Sequence, residues 1–114
     1  MTKSYKEITS DLSTSLPKLG KEMSGVMNGF TTMMQAATKD GALNKKTKEL
    51  IALALGIAAH CKGCIGFHVH TLIQLGVTKE ELLETLGIAV YMGGGPSVMY
   101  ASEALKAFEE LSSK

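Results

Sequence analysis

The sequence contains no arginine and no tryptophan, and aromatic residues make up only 5% of its 114 positions. All twelve cationic side chains are lysines, and eleven acidic residues nearly balance them, which gives a formal net charge of +1. Nucleic-acid-binding proteins usually present a strongly basic face with arginine, and single-strand binders stack bases on aromatic rings. These absences argue against a nucleic-acid partner.

Long apolar runs are missing as well. The longest one covers residues 50–59, about half of what a bilayer requires. Residues 1–12 are polar and mixed in charge, unlike the apolar core of a signal peptide. A hydrophobic fraction of 45% with a low net charge excludes intrinsic disorder. The sequence thus predicts a single cytoplasmic domain over residues 1–114 with no membrane partner.

The mean hydropathy of +0.11 is high for so small a chain. A short chain buries proportionally less of its surface than a long one does. Part of the apolar surface is therefore expected to lie in a subunit interface.

Apolar residues recur at the helical period in almost every segment, and no stretch alternates in the way of a strand. The pattern predicts an all-α fold of about six helices, with the cysteine pair in a helix-turn-helix. Pro17 predicts the end of a short first helix and the first turn of a second. Gly25 and Gly29 in this second helix indicate the close approach of another backbone. The second helix is expected to reach about Ala37 and to bury Met23, Met27, Phe30, Met33 and Met34.

The four later helices have clearer boundaries. Asn44 is a good N-cap for a third helix, whose apolar residues 50–59 predict that protein surrounds it. Thr78 and Glu81 form the pattern of a capping box, and three glycines followed by Pro96 predict a helix break. The predicted ranges are Lys45–His60, Cys61–Leu75, Thr78 to about Met92, and Pro96–Leu111.

The two cysteines, Cys61 and Cys64, lie where the all-apolar helix ends and the next one begins. Backbone N–H groups at a helix start stabilise a thiolate. His68 follows Cys64 by four residues, which places it on the same helical face about 6 Å along the axis. Cys61 is about 10.5 Å from His68 along that axis. His68 can therefore act as a base toward Cys64, which predicts Cys64 as the nucleophile and Cys61 as the resolving thiol.

Glu49 is the acidic residue that fits this site. No other carboxylate occurs between Asp40 and Glu80, and Glu49 stands at the head of the apolar run. A carboxylate in that position needs a partner or solvent. A relay in which Glu49 orients and polarises His68 would provide the partner.

A structural zinc site is an alternative for the same residues. The cysteine pair and His68 supply three ligands, and the fourth would be His60, His70, Glu49 or a residue of another subunit. Two buried cysteines that act as small hydrophobic side chains are a further alternative. Haem attachment is excluded because it needs a histidine directly after the second cysteine, where Ile65 stands.

The order of these residues resembles a known signature. Glu49, eleven further residues, and then Cys61-x-x-Cys64-x-x-x-His68 is similar to the pattern of the alkyl hydroperoxidase D branch of the carboxymuconolactone decarboxylase-like superfamily. The apolar helix before the cysteines and the glycine-proline break after the fifth helix resemble that family too. The resemblance covers roughly residues 43–108.

The resemblance implies an all-helical homotrimer or homohexamer with a redox dithiol in a pocket near a subunit boundary. Such proteins reduce organic hydroperoxides, or pass electrons from a dihydrolipoyl group to a peroxiredoxin. By position, Glu49 and His68 would form the proton relay, Cys64 would attack and Cys61 would close the disulfide. The implied partners are a small hydroperoxide or disulfide substrate and an external dithiol, with no bound cofactor and no metal.

Two features separate this chain from parts of the superfamily. The better-studied members have a histidine just before the second cysteine, where this chain has Gly63. The decarboxylase branch lacks the cysteine pair. The leading hypothesis is therefore a thiol-dependent peroxidase or disulfide reductase. The alternatives are a carboxymuconolactone decarboxylase-like lyase that uses Glu49 and His68 as acid and base, and a non-enzymatic metal-binding helical assembly protein.

Overall fold

The structure is a computed structural model that describes residues 3–113, so both ends of the predicted domain lie outside it. The described residues form six α-helices joined by short turns and contain no strand, which confirms the predicted all-α fold. The helices are α1 Tyr5–Glu22, α2 Ser24–Thr38, α3 Lys45–Ala58, α4 Lys62–Gln74, α5 Lys79–Gly93 and α6 Gly95–Ser112.

Side-chain caps start α3 and α5 where the sequence predicts them. The Asn44 side chain accepts a hydrogen bond from the Thr47 N–H, and the Thr78 hydroxyl accepts one from the Glu81 N–H. The Glu81 carboxylate in turn accepts from the Thr78 N–H and pairs with Lys46. The backbone hydrogen bond first, and the lysine second, lower the pKa of Glu81 below its ordinary range. The predicted capping box is confirmed.

The predicted break at Pro17 is wrong. α1 continues through this proline to Glu22, and the chain leaves the helical conformation at Met23, with φ −139° and ψ 58°. A proline inside a helix removes the hydrogen bond to the carbonyl four residues earlier. That carbonyl belongs to Ser13, and both Pro17 and Ser13 are exposed. Water can satisfy the freed carbonyl, so the helix tolerates the proline.

The predicted burial of the α2 methionines and Phe30 is also wrong for the chain by itself. Within residues 3–113, α2 packs only against α1 and α3, and it has no buried residue. A Cβ atom added at Gly25 or Gly29 would meet nothing within 4 Å. The apolar stripe of α2 is real, but one chain supplies no surface to cover it.

α3 is only partly surrounded by protein, contrary to the prediction. Leu53 and Ile57 are fully buried, whereas Ile51 and Leu55 remain 46% and 66% exposed. The exposed pair lines a shallow groove together with Ile88 of α5. No helix within residues 3–113 combines the length and apolar character needed to cross a bilayer.

The core lies where α3, α4, α5 and α6 meet, and α1 lies across α4. α6 contributes alanines, whose short side chains let its neighbours approach closely. Tyr5 of α1 enters the same core and is fully buried. The fully buried members are Tyr5, Leu53, Ile57, Ile65, Val69, Leu72, Leu82, Ala104 and Ala107.

The glycine-proline segment ends α5 and starts α6, as predicted. Gly94 has φ 74° and ψ −157°, a conformation that is essentially restricted to glycine. Gly93 is required for a different reason. A Cβ atom there would lie 2.7 Å from the Ser97 Cβ, and Ser97 is buried in the first turns of α6.

We expect Gly93→Ala to lower the free energy of unfolding by about 2–3 kcal/mol, because overpacking a filled site forces its neighbours apart. Gly87→Ala is the matched control on α5, since a Cβ atom at Gly87 would meet nothing within 4 Å. Gly87→Ala should raise the free energy of unfolding by about 0.5–1 kcal/mol, because alanine has the higher helix propensity. Denaturant unfolding at one protein concentration measures both variants. Equal effects would contradict the close approach of Gly93 and Ser97.

Candidate active site

A sharp turn joins α3 to α4 and presents the cysteines. Two backbone hydrogen bonds close this turn, from the His60 N–H to the Ile57 carbonyl and from the Cys61 N–H to the Gly56 carbonyl, each 3.0 Å long. This is the Schellman arrangement, which places the residue after the helix cap in the left-handed region. His60 has φ 58° and is the non-glycine residue with positive φ within residues 3–113.

Cys61 and Cys64 are joined by a disulfide, and their Cα atoms are 5.2 Å apart. Cys61 is the N-cap of α4, and its sulfur accepts a hydrogen bond of 3.1 Å from the Cys64 N–H. The helix N-terminus therefore acts directly on the Cys61 sulfur. An N–H donor in this position stabilises that sulfur whenever it carries negative charge.

Glu49 of α3 and His68 of α4 form a hydrogen-bonded pair beside the disulfide. The distance from Glu49 Oε1 to His68 Nδ1 is 2.7 Å. The Glu49 side chain is 7% exposed, whereas the His68 side chain is 32% exposed. A buried carboxylate is costly unless it is paired, and His68 is its partner. With Nδ1 held by Glu49, Nε2 is the ring nitrogen left for proton exchange.

The structure thus places the four predicted residues at one junction. His68 lies one turn beyond Cys64 on α4, and Glu49 reaches it from the neighbouring helix. Gly56 of α3 lets these helices approach closely, since a Cβ atom there would lie 3.1 Å from the Cys64 Cβ.

α1 covers the first turns of α4 next to the disulfide. A Cβ atom at Gly63 would lie 2.6 Å from Leu12 Cδ1, and one at Gly66 would lie 2.7 Å from Thr9 Cγ2. Glycine at both positions is what allows α1 to lie so close. Sequence reasoning noted Gly63 only as a departure from the better-studied relatives, and it assigned Gly66 no role.

α6 contacts both residues that flank Cys61. The Tyr100 ring stacks on the His60 ring, with 4.8 Å between centroids and an interplanar angle of 8°. One turn later, Glu103 Oε1 lies 3.8 Å from Lys62 Nζ and accepts a hydrogen bond of 2.8 Å from the Tyr5 hydroxyl. Burial first, and this hydrogen bond second, raise the pKa of Tyr5 above its ordinary value. Sequence reasoning missed these α6 residues because no motif marks them.

Residues 3–113 contain no group of three or more His, Cys, Asp or Glu side chains placed to hold a metal ion. His70 is exposed, and His60 is stacked on Tyr100. The described residues therefore offer no complete donor set for the zinc alternative.

The model of the Carboxymuconolactone decarboxylase family matches residues 24–107. The chain belongs to this family. The matched region contains Glu49, both cysteines and His68, together with the α3–α4 junction that brings them together. The family resemblance noted in the sequence is confirmed.

One related protein matches nearly the whole chain, and another matches about half of it. An uncharacterized protein of Cupriavidus necator is 40% identical over 111 residues, which cover 97% of this chain and 98% of that protein. The alkyl hydroperoxide reductase AhpD of Nocardia farcinica is 32% identical over 65 residues, which cover 57% of this chain and 36% of that enzyme.

Solved structures share the fold over most of this chain. A crystal structure of an apo carboxymuconolactone decarboxylase family protein from Legionella pneumophila has 65% sequence identity and a TM-score of 0.93, covering 96% of this chain and 97% of that one. A family protein from Thermotoga maritima, described as having a possible part in an antioxidative response, has 29% identity and a TM-score of 0.78 over 89% of each chain.

Proposed function

We propose that this protein is a thiol-dependent peroxidase or disulfide reductase of the alkyl hydroperoxidase D type. The observation that carries the proposal is the disulfide Cys61–Cys64 at the same helix junction as the hydrogen-bonded pair of Glu49 and His68. The partial match to an AhpD enzyme and the antioxidative description of the Thermotoga protein support a redox role.

In the oxidative half of the proposed cycle, His68 accepts the proton of the Cys64 thiol. The Cys64 thiolate attacks the terminal oxygen of a small hydroperoxide, the O–O bond breaks, and the alkoxide leaves and takes up a proton as the alcohol. Cys64 is left as a sulfenic acid. The Cys61 thiol then attacks this sulfur, forms the disulfide and releases water.

In the reductive half, an external dithiol such as a dihydrolipoyl group attacks Cys64, and Cys61 leaves as a thiolate. The N–H of Cys64 favours this direction because it donates to the Cys61 sulfur, and a stabilised thiolate is the better leaving group. The second thiol of the donor then attacks the donor sulfur of the mixed disulfide, so that Cys64 is released as a thiolate and the donor becomes an intramolecular disulfide. Instead of the hydroperoxide, a peroxiredoxin could accept the electrons of the reduced cysteine pair.

A thiol titration with and without peroxide tests the proposal. The reduced protein should show two reactive thiols per chain, and one equivalent of an organic hydroperoxide should remove both. Mass spectrometry should locate the loss in a disulfide between Cys61 and Cys64. Two thiols that persist after peroxide treatment would contradict the peroxidase activity. If the protein reduces only disulfides, a small disulfide rather than the hydroperoxide should oxidise both thiols.

The family match favours one second candidate, a lyase that acts on a small carboxylate or lactone. In this reaction Glu49 and His68 would serve as acid and base, and the cysteines would take no part. The two candidates differ in their response to alkylation. Lyase activity should survive complete alkylation of both thiols, whereas peroxide reduction should be lost.

We further propose a homotrimer or homohexamer as the functional assembly. The exposed apolar face of α2 and the groove between α3 and α5 lie uncovered on the single chain. Burying such surfaces is favourable. Sedimentation equilibrium should give the mass of three or six chains, and a monomer at micromolar concentration would contradict the proposal.

A further inference from the structure

We infer that Tyr100 is a positioning residue that holds Cys61 in the conformation from which the disulfide closes. It acts through the ring of His60, the residue directly before Cys61, on which it stacks. The inferred effect on the rate of closure rests on the proposed function. The inferred effect on the disulfide equilibrium needs only the cysteine pair itself.

The backbone of His60 is the reason that a clamp is needed. A positive φ is uncommon for a residue with a side chain and is unfavourable compared with the usual helical or extended conformations. Glycine is the usual residue at this position of a Schellman turn. His60 occupies it instead with φ 58°. Two backbone hydrogen bonds hold the turn in this conformation, and the nearly parallel stack on Tyr100 is the contact that the His60 ring adds.

α6 holds the other neighbour of Cys61 as well. Glu103, one turn after Tyr100, pairs with Lys62 at 3.8 Å and is itself fixed by the hydroxyl of the buried Tyr5. The ion pair is partly solvated, so its own contribution is small. Contacts on both sides of Cys61 nevertheless come from one face of one helix, and this helix packs in the core.

The clamp favours the disulfide for a physical reason. In the disulfide form, the bond between the two sulfurs itself keeps the turn in its present geometry. In the dithiol form, the backbone hydrogen bonds of the turn and the clamp are what keep His60 in the left-handed conformation. Without the Tyr100 ring, the dithiol gains freedom that the disulfide lacks, so reduction becomes more favourable. Closure, in which the Cys61 thiol attacks the Cys64 sulfenic acid and releases water, becomes slower.

The test compares Tyr100→Leu with Tyr100→Phe in the full chain. Each protein is equilibrated with mixtures of reduced and oxidised dithiothreitol, and its dithiol and disulfide fractions are quantified after acid quenching. Tyr100→Leu should shift the equilibrium toward the dithiol by about threefold to tenfold, as expected for the loss of one aromatic pair. Tyr100→Phe keeps the ring and should remain at the wild-type value.

A kinetic readout separates positioning from a general loss of stability. After one equivalent of hydroperoxide, Tyr100→Leu should accumulate a sulfenic acid that a dimedone-type reagent traps, while the rate of the initial attack is unchanged. A merely structural role would lower the unfolding midpoints of both redox forms and leave the dithiothreitol equilibrium where it is. An unchanged equilibrium constant for Tyr100→Leu would overturn the inference. So would an equal shift in Tyr100→Phe.

A second test measures the effect of Tyr100→Leu in the His60→Gly protein and compares it with the effect in the wild-type protein. Glycine accepts the positive φ without strain and removes the ring on which Tyr100 stacks, at an exposed position. Tyr100→Leu should then have no further effect on the dithiothreitol equilibrium, since coupled residues are not additive. A full-sized effect in this background would overturn the inference. Because no peroxide is used, a failed peroxidase activity leaves this result intact.

Discussion

Replacing Cys64 by serine is expected to abolish peroxide turnover with a dithiol donor, to below about one hundredth of the wild-type rate. The thiolate is the nucleophile, and a serine hydroxyl next to His68 is a far weaker one at neutral pH. Consumption of an organic hydroperoxide in the presence of dihydrolipoamide measures the effect. Cys64→Ser with wild-type turnover would exclude the proposed cycle.

Cys61→Ser is the matched control for this prediction. This variant should lose multiple turnover but still reduce about one equivalent of peroxide per chain, because the attacking thiol remains and only the resolving thiol is gone. The product should be a sulfenic acid on Cys64, detected as a dimedone adduct. The reverse result, with the adduct on Cys61 in the Cys64→Ser protein, would exchange the two roles. The comparison is needed because the Cys64 N–H donates to the Cys61 sulfur and would stabilise a thiolate on Cys61 as well.

Glu49→Gln is expected to lower kcat for peroxide reduction by about 100-fold, within the range that a positioned acid–base group contributes. The amide oxygen can still accept the hydrogen bond from His68 Nδ1, so the geometry at 2.7 Å is kept while the negative charge is lost. His68 then loses the group that stabilises its protonated form during proton transfer. Steady-state kinetics over a range of hydroperoxide concentrations measures kcat separately from KM.

Glu84→Gln serves as the control for a change of charge alone, because Glu84 is an exposed residue of α5. It should leave kcat within about twofold of wild type, as surface substitutions usually do little. A Glu49→Gln enzyme that is equally active would show that the buried carboxylate only supports the fold. The unfolding midpoint of each variant shows whether a loss of activity arises from a loss of structure.

The placement of the candidate site residues was predictable from the sequence because it is mostly local. Cys64 and His68 are four residues apart on one helix, and the N-caps of α3 and α5 act on backbone N–H groups of their own first turns. Such contacts follow from the helical repeat alone. The pairing of Glu49 with His68 also depends on the antiparallel packing of two consecutive helices, which a short connecting turn favours.

The parts that could not be predicted depend on packing between distant segments. The stack of Tyr100 on His60 and the contact of Leu12 with Gly63 join α6 and α1 to the turn, and no periodicity encodes them. The low helix propensity of proline predicts a helix end at Pro17, but its exposed position lets α1 continue through it. The stripe of α2 was assigned to the core because periodicity reports an apolar face without showing what covers it.

The contact between Leu12 and Gly63 couples two positions that lie far apart in the sequence. The Cβ atom of any side chain at position 63 would lie 2.6 Å from the Cδ1 methyl group of Leu12. A histidine at position 63 would therefore require the Leu12 side chain to turn away or to become smaller. The effect of a substitution at position 63 should therefore depend on which residue stands at position 12.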